Sequence, residues 1–191
     1  MPRPLPLSLP AFVLYLSCLV FFTACLSDEA DRQGRMAEKP FFDLAAFMDA
    51  EATHMDSLGG PWQKRTLIDG KEEIHTFDSL PWKDELDIFR RCDINRPAWR
   101  ERYVTDSIFA GQRLSTIRYA AIDSTLNIRQ LEVRFVNGRP AKVSILKIIQ
   151  SRIIRLQQQL NYQSGLGYHI INEQKLPFSE KTRWEITVCK F

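Results

Sequence analysis

Apolar residues recur along this chain with two periods. From Phe41 the period is helical: Phe41, Leu44, Ala45, Met48, Ala52 and Met55 fall on one stripe, the spacing of an amphipathic helix. Pro40 stands where a first-turn proline is tolerated. Gly59-Gly60-Pro61 stops the pattern. A second helix is predicted from near Pro81, with Trp82, Leu86, Phe89 and Cys92 on one face, ending before Pro97. Asp84, Glu85 and Asp87 early and Arg90 and Arg91 late complement its dipole. Between the two helices, residues 62–68 and 71–77 flank Asp69-Gly70, a strong hairpin signal. The arms carry Lys64, Arg65, Glu72, Glu73 and His75. So polar a ribbon predicts a solvent-exposed or edge hairpin, with a partner-binding edge as the alternative.

From Arg102 the period shortens to two. Strands are predicted over 102–108, 112–121, 126–136, 141–149, 152–162, 168–174 and 182–190. The short separators between them, such as Asn137-Gly138 and Gly165-Leu166-Gly167, indicate sequential antiparallel neighbours rather than helical crossovers. Over 153–162 a helix competes, because glutamines are good helix formers. At Asn137-Gly138 a two-residue loop sets Val133 opposite Lys142 and Leu131 opposite Ser144. A three-residue loop ending at Arg139 sets Val133 opposite Val143 and Leu131 opposite Ile145, keeping apolar side chains together. The longer turn is therefore expected. Ile128, Leu146 and Ile148 fall on the other face, which calls for shielding there too, by a further helix or by curling of the sheet. The predicted fold class is α+β. A strongly curved antiparallel sheet of seven to nine strands, a meander, packs on and encloses the N-terminal helix, and the second helix is inserted after the first hairpin.

Composition narrows the partners. The chain has 191 residues and a formal net charge of +3, and Arg3 is the one charged residue before position 25. A near-neutral balance argues against nucleic acid. Cys92 lies on the apolar helix face, while Cys189 lies opposite Trp184, Ile186 and Val188 on its strand. Two small buried thiols are expected rather than a bridge between them. No Gly-x-Ser-x-Gly elbow, His-Glu-x-x-His helix, phosphate-cradling glycine loop or Cys-x-x-Cys occurs. His54, His75 and His169 lie on three separate elements, and Asp84 and Asp87 serve the helix dipole. No catalytic residue, metal site or cofactor is predicted.

Two features remain. Arg90, Arg91, Arg96, Arg100 and Arg102 cluster with Trp99 and Tyr103. Guanidinium groups beside aromatics can hold an anion or a lipid headgroup, although Asp93 and Glu101 neutralise part of the cluster. Gln158 falls between Leu156 and Leu160 on the inward side of its strand. A buried amide needs partners, so these three residues either meet backbone or line a wet cavity.

The leader says where the chain works. Arg3 precedes an apolar run over 11–22, which as a helix spans only about 18 Å against a bilayer core of about 30 Å. The run ends in Phe22-Thr23-Ala24-Cys25, which resembles the lipobox of bacterial lipoproteins, with Phe22 bulkier than the family's aliphatic residue. Cys18, after Leu16-Ser17, is a second candidate, and an uncleaved signal anchor from near Leu5 is the alternative; each tethers the chain. The resemblance implies a signal peptide over 1–24 and an acyl anchor such as palmitate on Cys25. A flexible tether over 25–39 reaches about 20 Å, and a single globular domain follows over 40–191. Leu26 after the cysteine implies outer-membrane sorting. Ser27-Asp28-Glu29 is similar to a surface-export signal, or is a solvated linker, so the domain faces the periplasm or the surface. The chain thus resembles small envelope lipoproteins of Gram-negative bacteria. Its expected function is a non-catalytic binding or structural module, partnered by the membrane and by an envelope protein or lipid. The alternative is a carrier for lipid or another amphiphile, similar in architecture to lipoprotein receptors built as an open barrel around a helix. A hydrolase of envelope polymers is third, and it requires His75 or His169 within reach of a carboxylate in a cleft.

Overall fold

The computed structural model describes residues 39–177 and 180–191. Cys25, the leader and the tether up to residue 38 lie outside the described residues. Pro40–Phe191 form one compact unit. Its elements are α1 (Leu44–Leu58), β1 (Trp62–Ile68), β2 (Lys71–Phe77), α2 (Trp82–Arg90), a 3-10 turn at Pro97–Trp99, then β3 (Tyr103–Ala110), β4 (Arg113–Ala121), β5 (Ile128–Val136), β6 (Arg139–Gln150), β7 (Arg155–Gln163), β8 (Gly167–Lys175) and β9 (Thr182–Lys190). The glutamine-rich segment is a strand because β6 and β8 pair with it on both sides, and that pairing overrides helix propensity.

α1 begins at Leu44 rather than Pro40. Asp43 caps it, accepting from the Ala46 amide at 3.1 Å. Phe41 and Phe42 are instead tied to the sheet side. The Phe41 amide donates to Asn95 Oδ1 at 3.1 Å and the Phe42 amide to Tyr119 Oη at 3.0 Å. The Phe41 ring meets Tyr103 and Tyr119 edge-on.

All nine strands form one antiparallel sheet in the order β2-β1-β9-β8-β7-β6-β5-β4-β3. The meander runs from β3 to β9, and the first hairpin is then added beside β9. The sheet is open, with β2 and β3 as its edges. β2 is exposed along its whole length, as the polarity of the hairpin requires.

Two bulges set which side chains face which way. Val133 pairs with Val143 and Leu131 with Ile145, the apolar register. The cause differs from the expected three-residue loop. Val136 pairs with Arg139 across a two-residue turn, with φ of 52° at Asn137 and 77° at Gly138, the conformation that Asn-Gly suits. The extra residue is Ala141, bulged where the neighbouring Pro140 has no N–H for the ladder. A second bulge at Arg129 pairs Ile128 with Lys147 while Gln130 pairs with Leu146. This turns Ile128 onto the Leu131 face, where it is buried. One of the three residues that called for shielding of both faces therefore belongs to the core.

Both helices serve one face of the sheet. Met48, Ala52 and Met55 of α1 and Trp82, Leu86 and Phe89 of α2 are buried together with Leu131, Val143, Leu160 and Val188 of the strands. Each such large aliphatic or aromatic side chain contributes about 1.5–3 kcal/mol. Trp82 packs edge-on against Trp62, and Phe89 lies against Tyr162. Tyrosines bridge the layers through their hydroxyls. Tyr162 donates to Glu51 Oε2 at 2.6 Å. Tyr168 donates to Glu85, which also accepts from Lys64 Nζ at 2.8 Å. Burial pushes both phenols up, and the facing carboxylates push them further. Cys92 is buried as expected and Cys189 is not. Cys189 pairs with Gly167, which has no side chain to cover it.

Candidate binding surface

Alternate residues of each strand point away from the helices. In β7 these are Arg155, Gln157, Gln159, Asn161 and Gln163, whose partners across β6 and β8 include Leu146, Ser144, His169 and Ile171. β7 is the middle strand of the nine. A column of amides therefore runs down the centre of the uncovered face, about 26 Å from Arg155 to Gln163. Asn161 Oδ1 accepts from Ser144 Oγ at 2.9 Å. Among the described residues, no side-chain hydrogen bond engages Gln157, Gln159 or Gln163.

Three shallow grooves meet this column. One of about 220 Å³ is lined by Arg155, Gln157, Glu173 and Lys181, among others. The next, about 340 Å³, includes Gln159, Asn161, Ser144 and Glu132. The third, about 440 Å³, includes Asn161, Gln163, Lys142, His169 and Cys189.

Three carboxylates on this face, Glu132, Glu173 and Glu185, are each held by basic side chains. Glu132 lies 2.9 Å from Arg118 and 2.8 Å from Arg134. Burial alone would raise its carboxyl, but hydrogen bonds from both arginines outweigh that and hold it below its ordinary value. A hydrogen bond from Lys181 at 2.8 Å lowers Glu173. One from His169 at 2.9 Å lowers Glu185, with Arg183 beside it. Lys142 and Arg155, toward opposite ends of the amide column, have no acidic partner among the described residues.

His169 and Glu185 form the histidine–carboxylate contact that a hydrolase would need, and His169 lines a groove. Cys189 lines the same groove, yet among the described residues no hydrogen bond joins its thiol to the imidazole. The pair is a hydrogen-bonded contact on a polar face, without a nucleophile in contact among the described residues. His54 and His75 lie elsewhere, on α1 and β2. Among the described residues no group of three or more His, Cys, Asp or Glu side chains is placed to hold a metal.

Folding gives most arginines of the cluster separate partners, while Trp99 stays beside Tyr103 at 6.2 Å. Arg90 Nε bonds Asp49 of α1 at 2.9 Å, and Arg91 bonds Asp87 at 2.7 Å. Arg102 is tied to Asp123 and Thr125; hydrogen bonds from Thr125 and then Arg102 hold the Asp123 carboxyl below its usual range. Arg96 stacks over Trp99 at 4.4 Å. Arg100 alone of the five has neither a carboxylate nor a ring partner among the described residues. Leu156, Gln158 and Leu160 line none of these grooves. Leu160 is core, Leu156 is half-buried, and Gln158 is 7% exposed. Among the described residues, Gln158 Oε1 and the Oδ1 of its cross-strand partner Asn172 have no hydrogen-bond partner.

The amide column escaped the reading of single residues. Its signal is in the sequence all the same, as Arg, Gln, Gln, Asn and Gln on one parity of 155–163. No protein-family model matches the chain, and no curated protein or solved structure is significantly similar to it.

Proposed function

We propose that this protein is a lipid-anchored, non-catalytic binding module of the bacterial cell envelope that meets its partner with the uncovered sheet face. The observation that carries the reading is the column of amides at the centre of that face, of which Gln157, Gln159 and Gln163 are unengaged among the described residues, with three grooves opening onto it. Acylation of Cys25 after removal of residues 1–24 holds the domain at the outer membrane. The partner is periplasmic or at the cell surface. A filled interior favours this reading over an amphiphile carrier, since Leu131, Val133, Val143 and Leu160 are wholly buried. A bend of the sheet about the helix layer belongs to the same proposal. Tyr103 on the edge strand β3 buries against Phe41, just before α1, and Trp62 on β1, near the other end, buries against Trp82 of α2.

Two measurements on the full chain in a Gram-negative host test this. Metabolic labelling with palmitate should mark the membrane fraction of the wild type and fail with Cys25→Ala. Label retained by that variant would refute the anchor. A photo-crosslinking residue at Gln159 should give discrete envelope adducts, while one at His54, exposed on α1, should not. Absence of adducts at Gln159 would refute the face.

A further inference from the structure

The ligand class can be read from the same face. Resting on the assignment of that face as the binding surface, we propose that the β7 amide column binds an acidic polysaccharide, a chain of sugar rings bearing hydroxyls and carboxylates. Each primary amide offers two donors and an acceptor with two lone pairs, which suits neighbouring hydroxyls of a sugar ring. The amides recur about every 6.6 Å along the strand, so a linear polymer meets several in succession. Lys142 and Arg155 add unpaired positive charge along the track. Glu132, Glu173 and Glu185 are already held by cations, which removes the repulsion that bare carboxylates would exert on an acidic chain.

Other occupants fit less well. Among the described strand residues, the register places no Phe, Tyr or Trp on this face, so single-stranded nucleic acid finds no stacking platform. An extended peptide is read through a free strand edge, whereas β7 is paired on both sides. The grooves are too polar and shallow for an acyl chain.

The test uses the full-length chain in detergent micelles, titrated against polygalacturonate, with dextran as the uncharged control. Binding is expected for polygalacturonate and should be at least tenfold weaker for dextran. The Gln157→Ala, Gln159→Ala, Asn161→Ala triple variant keeps the charge of the protein and should weaken polygalacturonate binding at least tenfold. Gln159→Glu, a single exposed substitution that introduces repulsion, should weaken it with the thermal midpoint unchanged. Glu73→Ala on the remote edge strand should leave it unaltered. A folded triple variant binding as tightly as wild type would overturn the column as the site. No binding to polygalacturonate would overturn the ligand class; persistent envelope adducts at Gln159 would then leave the face assignment standing, and their absence would remove both.

Discussion

Gly167→Ala tests how closely β8 and β9 are pressed together beneath the largest of the three grooves. Gly167 has φ of 123°, and a Cβ there would sit closer to the Val188 carbonyl oxygen than real Cβ atoms approach, and 2.9 Å from its carbonyl carbon. The obstacle is backbone, which cannot rotate aside. Gly138, at the turn between β5 and β6, has φ of 77° with nothing within 4 Å of the same construction. Both substitutions carry the strain of a positive φ, about 1–2 kcal/mol. Only Gly167→Ala must also push β9 away. That forfeits one or two ladder hydrogen bonds at about 0.5–1.5 kcal/mol each. We expect Gly167→Ala to cost about 2–4 kcal/mol in all, or roughly 5–15 °C in Tm for a domain of this size. Gly138→Ala should cost about half as much or less. Urea unfolding followed by tryptophan fluorescence measures both, with the m-value expected to stay constant. Equal losses, agreeing within about 0.5 kcal/mol, would mean that the strands do not approach as described.

Two further outcomes follow from the charged and sulfur groups. The Glu132 carboxyl is lowered in the folded state, so its charge stabilises the fold above the ordinary carboxylate range and the contribution is lost as pH falls through the lowered value. Glu132→Gln should cost about 1–3 kcal/mol at pH 7, and the gap to wild type should close below about pH 4; a gap constant from pH 7 to pH 3 would refute the ion-pair account. Burial pushes the Cys92 thiol up to about 11, while Cys189 is exposed. Iodoacetamide at pH 8 should therefore label the native Cys189 peptide and spare Cys92 until denaturant is added, as peptide mass spectrometry can show. Comparable labelling of the two before unfolding would contradict the packing around α2.

Much of this fold was legible because local signals agreed with one another. Asp69-Gly70 and Asn137-Gly138 fixed two hairpins, and the helical stripes at Met48 and Phe89 named the core faces that the structure buries. The bulges were not legible. Periodicity counts residues, and one bulged residue reverses the parity beyond it, as Arg129 does for Ile128. The partners of the arginine cluster were not legible for a related reason. Arg90 meets Asp49 on another helix, and Arg102 meets Asp123 beyond β4. Partners that distant are fixed by topology, which no local pattern carries.

β7 is where local and global preferences part. Glutamine favours helix, and asparagine is depleted in strands, yet Gln157, Gln158, Gln159, Asn161 and Gln163 occupy the central strand. Solvation alone does not require amides there. β4 and β5 solvate the same face with Arg118, Glu132 and Arg134, and the Arg118–Glu132 pair also joins the two strands. β9 does likewise, reaching β8 from Arg183 to Glu173 and from Glu185 to His169. Gln157, Gln159 and Gln163 make no such connection among the described residues, and they occupy positions where threonine or valine would suit the sheet better. Conflicts of this kind concentrate where a chain serves something other than its own stability. The inward Gln158, with its unpaired oxygen, costs stability as well. The outward amides give up strand propensity for hydrogen-bonding capacity directed at solvent, and a ligand rich in hydroxyls is what that capacity fits.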